Sequence, residues 1–155
     1  MINRKRIKNW SRTSDHRERV GPIPRPPQLR EACLWLLRRD AELFFVNGSC
    51  EPIDRLATSM SAVALVDDGV FACDAAEIIQ YDEIVPDEAV KIDEYDDFYD
   101  LDYLLGATIL IEAGRLGRVA CYVPGRKGGI HEQVLRWKGG PWHARVVVEP
   151  LESPC

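Results

Sequence analysis

The stretch Asp93–Tyr103, DEYDDFYDLDY, places six carboxylates and four large rings (Tyr95, Phe98, Tyr99 and Tyr103) in eleven positions. Carboxylates at that density are material for a calcium loop, a pair of catalytic acids, or a surface that attracts a cationic partner. A calcium loop of the EF-hand kind needs acids at positions 1, 3 and 5, Gly at 6 and Glu at 12. Counted from Asp96, position 3 is Phe98; from Asp100, position 5 is Leu104; from Asp93, position 3 is Tyr95. An EF-hand is therefore excluded, and an irregular oxygen site is left open. A glycosidase-type pair needs one carboxyl that is buried and raised in pKa, and nothing singles one out here. Two readings stand side by side. In one, the stretch is a solvated loop and strand edge whose charges block edge-to-edge pairing. In the other it is a protein-binding face: Asp93, Glu94, Asp96, Asp97, Asp100 and Asp102 steer a basic partner, and Tyr95 and Tyr99 anchor it.

The opposite chemistry lies near the start. In NRKRIKNWSR, the residues Arg4, Lys5, Arg6, Lys8, Trp10 and Arg12 are the types that contact phosphates and stack on bases. Nucleic-acid binding through this arm is one expectation. A solvated tail, or an arm folded back on the acids of its own chain, is the other. VPGRKGG (Val123–Gly129) lacks the spacing and the Ser/Thr of a P-loop and reads as a glycine-rich connection. His131 and His143 lie twelve residues apart with no third ligand at metal spacing, and His16 stands alone. Cys33, Cys50, Cys73, Cys121 and Cys155 form no CxxC pair. That spacing suits neither zinc nor a disulfide framework and implies reduced thiols in a cytoplasmic protein. Asn47-Gly48-Ser49 matches a glycosylation sequon and reads as a turn. Trp137 and Trp142 bracket KGGP, where they close the core or rim an aromatic pocket. No cofactor and no metal is expected.

The net charge of -5 conceals a division. Residues 1–39 carry eleven Lys/Arg against three acids, and residues 40–155 carry nine against twenty-two, so +8 opposes -13. Between Asp67 and Asp102 there are fourteen acids and one base, Lys91. Opposed halves suggest an arm and a body, and make self-association conceivable in cis or in trans. At 155 residues, 46% of them hydrophobic, the chain holds one domain with a real core. Its longest apolar runs, CLWLL and LLGATILI, fall far short of the roughly 20 residues of a membrane span, and no apolar h-region follows the basic N-terminus.

The elements that must position these residues divide as follows. Residues 1–27 read as a basic arm, mobile or loosely docked, ending in the proline-rich linker GPIPRPP. Residues 28–155 form a single β-rich domain. Leu29, Cys33, Leu36 and Leu37 recur at i, i+4, i+7 and i+8, which predicts a short amphipathic helix over 28–39. A strand through CLWLL is the alternative, and Trp35 lies off the helical stripe. From 42 to 149, short β-prone runs alternate with Gly, Pro, Asn and Asp breaks, the pattern of an antiparallel sandwich or barrel. FFVNGSCEPIDRLATS, followed by VPDEAVKIDEYD, resembles the V-N-N-S-x-E-P-I and P-G-E-x-V-x-I words of small immunoglobulin-like domains. The stretch from about Leu43 to Trp137 is similar to small uncharacterised proteins of bacterial mobile gene cassettes. That resemblance implies an immunoglobulin-like sandwich and transfers no catalytic residue. The expected function is non-enzymatic protein binding by the acidic-aromatic surface, in the manner of immunity proteins that meet a cationic nuclease, or a cassette-encoded accessory role. The alternatives are a small-molecule or carbohydrate binder or enzyme with a cleft between the acidic loop and Trp137/Trp142, and a nucleic-acid-associated protein acting through the arm.

Overall fold

The computed structural model describes residues 4–10, 31–66, 69–73, 78–95 and 103–151. Among them every regular element is a strand: β1 (Arg6–Ile7), β2 (Ala32–Arg39), β3 (Glu42–Asn47), β4 (Ile53–Val66), β5 (Gly69–Cys73), β6 (Ile78–Ile84), β7 (Glu88–Glu94), β8 (Tyr103–Ala113), β9 (Gly117–Lys127), β10 (Glu132–Trp137) and β11 (Val147–Pro150). They form two antiparallel sheets. The first has the order β1-β7-β3-β2-β10. The second runs β11-β9-β8-β4, with β5 and β6 pairing successive stretches of the far edge of β4. The chain crosses between sheets after β3, β6, β7, β9 and β10. Leu34, Phe45 and Ile92 of the first sheet meet Leu56, Ile109 and Cys121 of the second in one buried cluster. This is a β-sandwich.

The helix expected over 28–39 is not formed across Ala32–Arg39, which is strand β2; residues 28–30 lie outside the described residues. The reason is burial on both faces. Leu34 and Leu36 point into the sandwich, while Trp35 and Leu37 pack against a second cluster on the outer face, built on Trp10, Phe44, Val46 and Ala89. A strand covered on both faces loses its polar alternation and reads as a continuous apolar run. The β2–β3 hairpin turns on Asp40 (φ 55°) and Ala41, which is why the run stops at Arg39.

The outer cluster also corrects the picture of a loosely docked arm for residues 4–10. Arg6 and Ile7 pair with Val90 and Ala89 at the edge of the first sheet. Trp10 is 1% exposed, its ring 5.6 Å from that of Phe44. This segment belongs to the body. The linker GPIPRPP and Arg12 lie outside the described residues.

Candidate functional site: a cleft at one end of the sandwich

The crossover from β3 to β4 is held by one side chain. Asn47 is fully buried, and its Nδ2 donates to the carbonyls of Glu51 (3.0 Å) and Ile84 (3.1 Å). Its Oδ1 accepts from the Ser49 N–H at 3.1 Å, and the single hydroxyl proton of Ser49 lies within reach of both that Oδ1 and the Glu51 carbonyl, the latter at 2.9 Å. These bonds satisfy a tight turn from within, the general use of Asn and Ser in such places. The sequon asparagine is thus a structural rivet inside the protein. Gly48 beneath it is required by space: a Cβ there would stand 2.3 Å from the Trp35 ring.

The loop so fixed forms one wall of a cleft of about 290 Å³ between the two sheets. Leu34, Ile53 and Leu116 supply apolar lining, Trp137 an aromatic wall, and Cys33 and Cys50 two thiols. The far wall is the turn after β10. Gly139 (φ 95°) and Gly140 (φ 113°) take left-handed conformations there, and the Trp137 N–H donates to the Pro141 carbonyl at 2.8 Å. The KGGP segment is therefore a clamp that returns the chain so that Trp142 packs on the core while Trp137 lines the cleft.

Two guanidinium groups border the cleft. Arg115 is tied to Glu51 at 2.8 Å. Arg136 donates Nε–H to the Gly140 carbonyl at 3.1 Å and lies over the Trp142 ring at 5.4 Å. Its terminal nitrogens hydrogen-bond to none of the described residues, so a fixed cation borders an apolar hollow. Burial raises the Cys33 thiol above its ordinary 9.0, outweighing the opposing pull of Arg136. Burial of this kind makes a thiol less reactive, so Cys33 serves the cleft as lining. Cys121, in the core, is pushed up to about 12 by burial.

The residues picked out by sequence fall elsewhere. Asp93 and Glu94 end β7, with Tyr95 just after it, at the opposite end of the first sheet: Glu94 pairs with Glu42, which pairs with Arg39, whereas Trp137 pairs with Ala32. Seven residues of strand, at about 3.3 Å each, separate the two positions by roughly 23 Å, so Asp93–Tyr95 and Trp137 do not rim one cleft. Tyr95 is 4% exposed. Its hydroxyl accepts from the Ile130 N–H at 3.2 Å, Arg38 covers its ring at 4.9 Å, and the ring lies against Gly129. It is a core residue, not a surface anchor. Asp93 is 9% exposed and accepts the Glu94 N–H, and Glu94 is exposed. Asp96, Asp97, Tyr99, Asp100 and Asp102 lie outside the described residues.

The basic cluster is engaged within its own chain. Lys5 pairs with Glu42 at 3.0 Å and Arg6 with the buried Glu88 at 3.2 Å. Trp10 is enclosed and Arg39 covers it at 4.4 Å, so its ring is not offered to a base. Arg4 and Lys8 are exposed. The connection over VPGRKGG is shorter than expected: Val123–Lys127 continue β9, and Gly128 (φ 76°) and Gly129 (φ 103°) alone turn the chain out of it. His131 is exposed beside that turn, and His143 stacks near Trp137 at 5.9 Å. Among the described residues no three His, Cys, Asp or Glu side chains stand together in a way that could hold a metal ion.

The fold and the site define a β-sandwich with a small end cleft. Neither family models, nor curated proteins, nor solved structures yield a match to this chain. The arginines of the cleft were not singled out in the sequence. The signal was present in RWKGGPW: a cation between an apolar strand and a double-glycine turn has its side chain fixed by that turn.

Proposed function

We propose that the protein is a non-enzymatic binding module and that its ligand is a small amphipathic anion, such as an aliphatic or aromatic monocarboxylate. The observation that carries this reading is Arg136, fixed by Gly140 and Trp142 at the border of an apolar hollow. The cleft volume of about 290 Å³ sits at the lower end of the range for small-molecule sites. A carboxylate on the guanidinium and a short apolar body against Leu34, Ile53 and Trp137 satisfies both halves of the site. The test is NMR titration with monocarboxylates of about six to ten carbons, a size that suits such a cleft. The Trp137 indole N–H signal should move and saturate. Arg136→Gln should abolish the shift, and Arg118→Gln, on the outer face of the second sheet, should leave it intact. A Trp137 signal unmoved at millimolar ligand overturns the reading.

One observation favours the protein-binding reading of the acidic surface as well. Lys91, the single base between Asp67 and Asp102, is 3% exposed, and its ammonium is taken by Glu42 (2.9 Å) and Glu94 (3.0 Å). No lysine or arginine of that region is left to offset the negative charge it presents to a basic partner. Immunoglobulin-like topology and kinship with cassette-encoded proteins accord with either reading and belong to the same proposal.

A further inference from the structure

The seat of residues 4–10 has the anatomy of a peptide-binding groove. The backbone of the segment lies antiparallel along β7: the Lys91 N–H donates to the Lys5 carbonyl at 2.9 Å, and the Trp10 N–H to the Asp87 carbonyl at 2.8 Å. Side chains add specificity. Arg6 reaches Glu88, donates to the Asp82 and Glu83 carbonyls, and lies over Tyr81 at 5.4 Å. The Lys5 N–H donates to the Tyr81 hydroxyl at 3.1 Å, and that hydroxyl donates to the Lys91 carbonyl at 2.6 Å. Trp10 fills a hollow over Phe44. Strand addition, acidic side chains for two cations and a pocket for one aromatic ring together make a β-augmentation site.

Every group that receives the segment comes from Trp35 or later, and twenty residues separate Trp10 from Glu31. The contacts therefore ask only for the segment and not for the chain that delivers it. With the segment removed, the β7 edge and the Phe44 hollow would lose their cover and the buried Glu88 carboxylate its cation, leaving it the Val85 N–H at 3.1 Å, and an open edge is a template for pairing. The groove is best kept filled. We propose that it is an exchange site, which takes residues Arg4–Trp10 of a second copy of this chain in place of its own. The supporting observation is the occupant already seated there, whose cations meet Glu42 and Glu88. Its own segment belongs to the same chain, so it competes for the groove at an effective concentration on the order of millimolar. The closed monomer dominates in dilute solution, and exchange between copies, the low-cost route to dimers, grows as the protein approaches that concentration.

The test traps the pairing. Ile7 and Ala89 are directly opposed across the antiparallel pair, a placement whose spacing suits a disulfide. In the full chain carrying Ile7→Cys and Ala89→Cys, mild oxidation by a disulfide reagent such as oxidised glutathione should give a monomer at micromolar protein. A covalent dimer, reducible by thiol, should gain share as concentration rises toward millimolar. Either single variant serves as the control for the native cysteines. A second measurement uses a fluorescent peptide of residues Arg4–Trp10. It should bind full-length Trp10→Ala at least about tenfold more tightly than wild type, whose own segment competes. A double variant that stays monomeric at every concentration overturns the proposal. So does a peptide that shows no saturable binding to a folded Trp10→Ala protein.

Discussion

Individual buried polar groups carry opposite signs here. Asn47 bridges a carbonyl of the β3–β4 loop and one of β6 and anchors Ser49. Asn47→Ala leaves those groups buried without a donor, each costing about 1–3 kcal/mol, so a loss of about 3 kcal/mol is expected in chemical denaturation. Thr58 is the contrary case. It is 2% exposed, and its hydroxyl has no hydrogen-bond partner among the described residues. Thr58→Val keeps the shape and removes the stranded group, and should raise stability by about 1 kcal/mol; a lower unfolding midpoint would show that the hydroxyl is satisfied. Gly129 is required twice over, by its φ of 103° and by the Tyr95 ring, which stands 2.8 Å from where a Cβ would be. Gly129→Ala should therefore destabilise by more than the ~1 kcal/mol that left-handed strain alone costs, and Tyr95→Ala in the same chain should recover part of that increment. Such pairs were only half legible in the sequence. NGS and KGG announced turns. Nothing in the spacing revealed that Asn47 reaches a carbonyl 37 residues away, or that a tyrosine from the acidic run lies on Gly129.

At the scale of elements, the first sheet is the unusual one, because β3 and β7 are buried on both faces. The cover on the outer side is Trp10. Trp10→Ala opens a large hollow over Phe44, and large aromatic truncations in cores cost about 3–5 kcal/mol. For a chain of this size about 1 kcal/mol shifts Tm by 2–4 °C, so calorimetry should show a fall of roughly 6–20 °C. A fall within about 2 °C would mean that the segment is a tail after all. The same double burial explains why β2 was misread as a helix while the strands of the second sheet were legible. Along β6 the burial alternates from Ile78 to Asp82, with Ile79 and Tyr81 inward and Gln80 and Asp82 outward, until Glu83 (φ 54°) shifts the phase and brings Ile84 inward. Alternation needs one wet face. A strand sandwiched between the core and a distant segment has none, and that segment is 84 residues away in sequence (Arg6 to Val90). The cleft was illegible for the same reason: its walls come from β2, the β3–β4 loop, the β8–β9 hairpin and the β10 turn, and only Trp137 was noticed.

For the whole molecule, the opposed charges of the two halves meet partly inside it. Hydrogen bonds from Lys91 and Lys5 hold the Glu42 carboxyl below its ordinary 4.5 against the opposing effect of burial. Burial pulls Lys91 down, but Glu42 and Glu94 outweigh it and leave the ammonium above its ordinary 10.5. The folded carboxyl is the stronger acid. Its stabilisation is complete above the unfolded value near 4.5 and drains away as pH falls through the depressed folded value. The lysine's share is complete below about 10.5 and is lost as pH rises through its raised folded value. Urea midpoints measured from about pH 6 to about pH 3 should fall, and Glu42→Gln should flatten that slope; an unchanged acid limb in the variant would refute the assignment. If Asp96 and Asp97 serve a partner rather than the fold, Asp96→Asn with Asp97→Asn should leave Tm unchanged or slightly raised, since charges that face solvent contribute under about 1 kcal/mol. If these carboxylates steer a basic partner, the pair should slow association in a salt-dependent way. The seating of residues 4–10 on β7 has a further consequence, in time. During synthesis the segment emerges 84 residues ahead of its seat. At about 5–20 residues per second, Trp10 and its cations wait roughly 4–17 seconds on the nascent chain before β7 exists to receive them. Closing this edge must then follow the appearance of β7, which makes the quenching of Trp10 a clock for the completion of the first sheet.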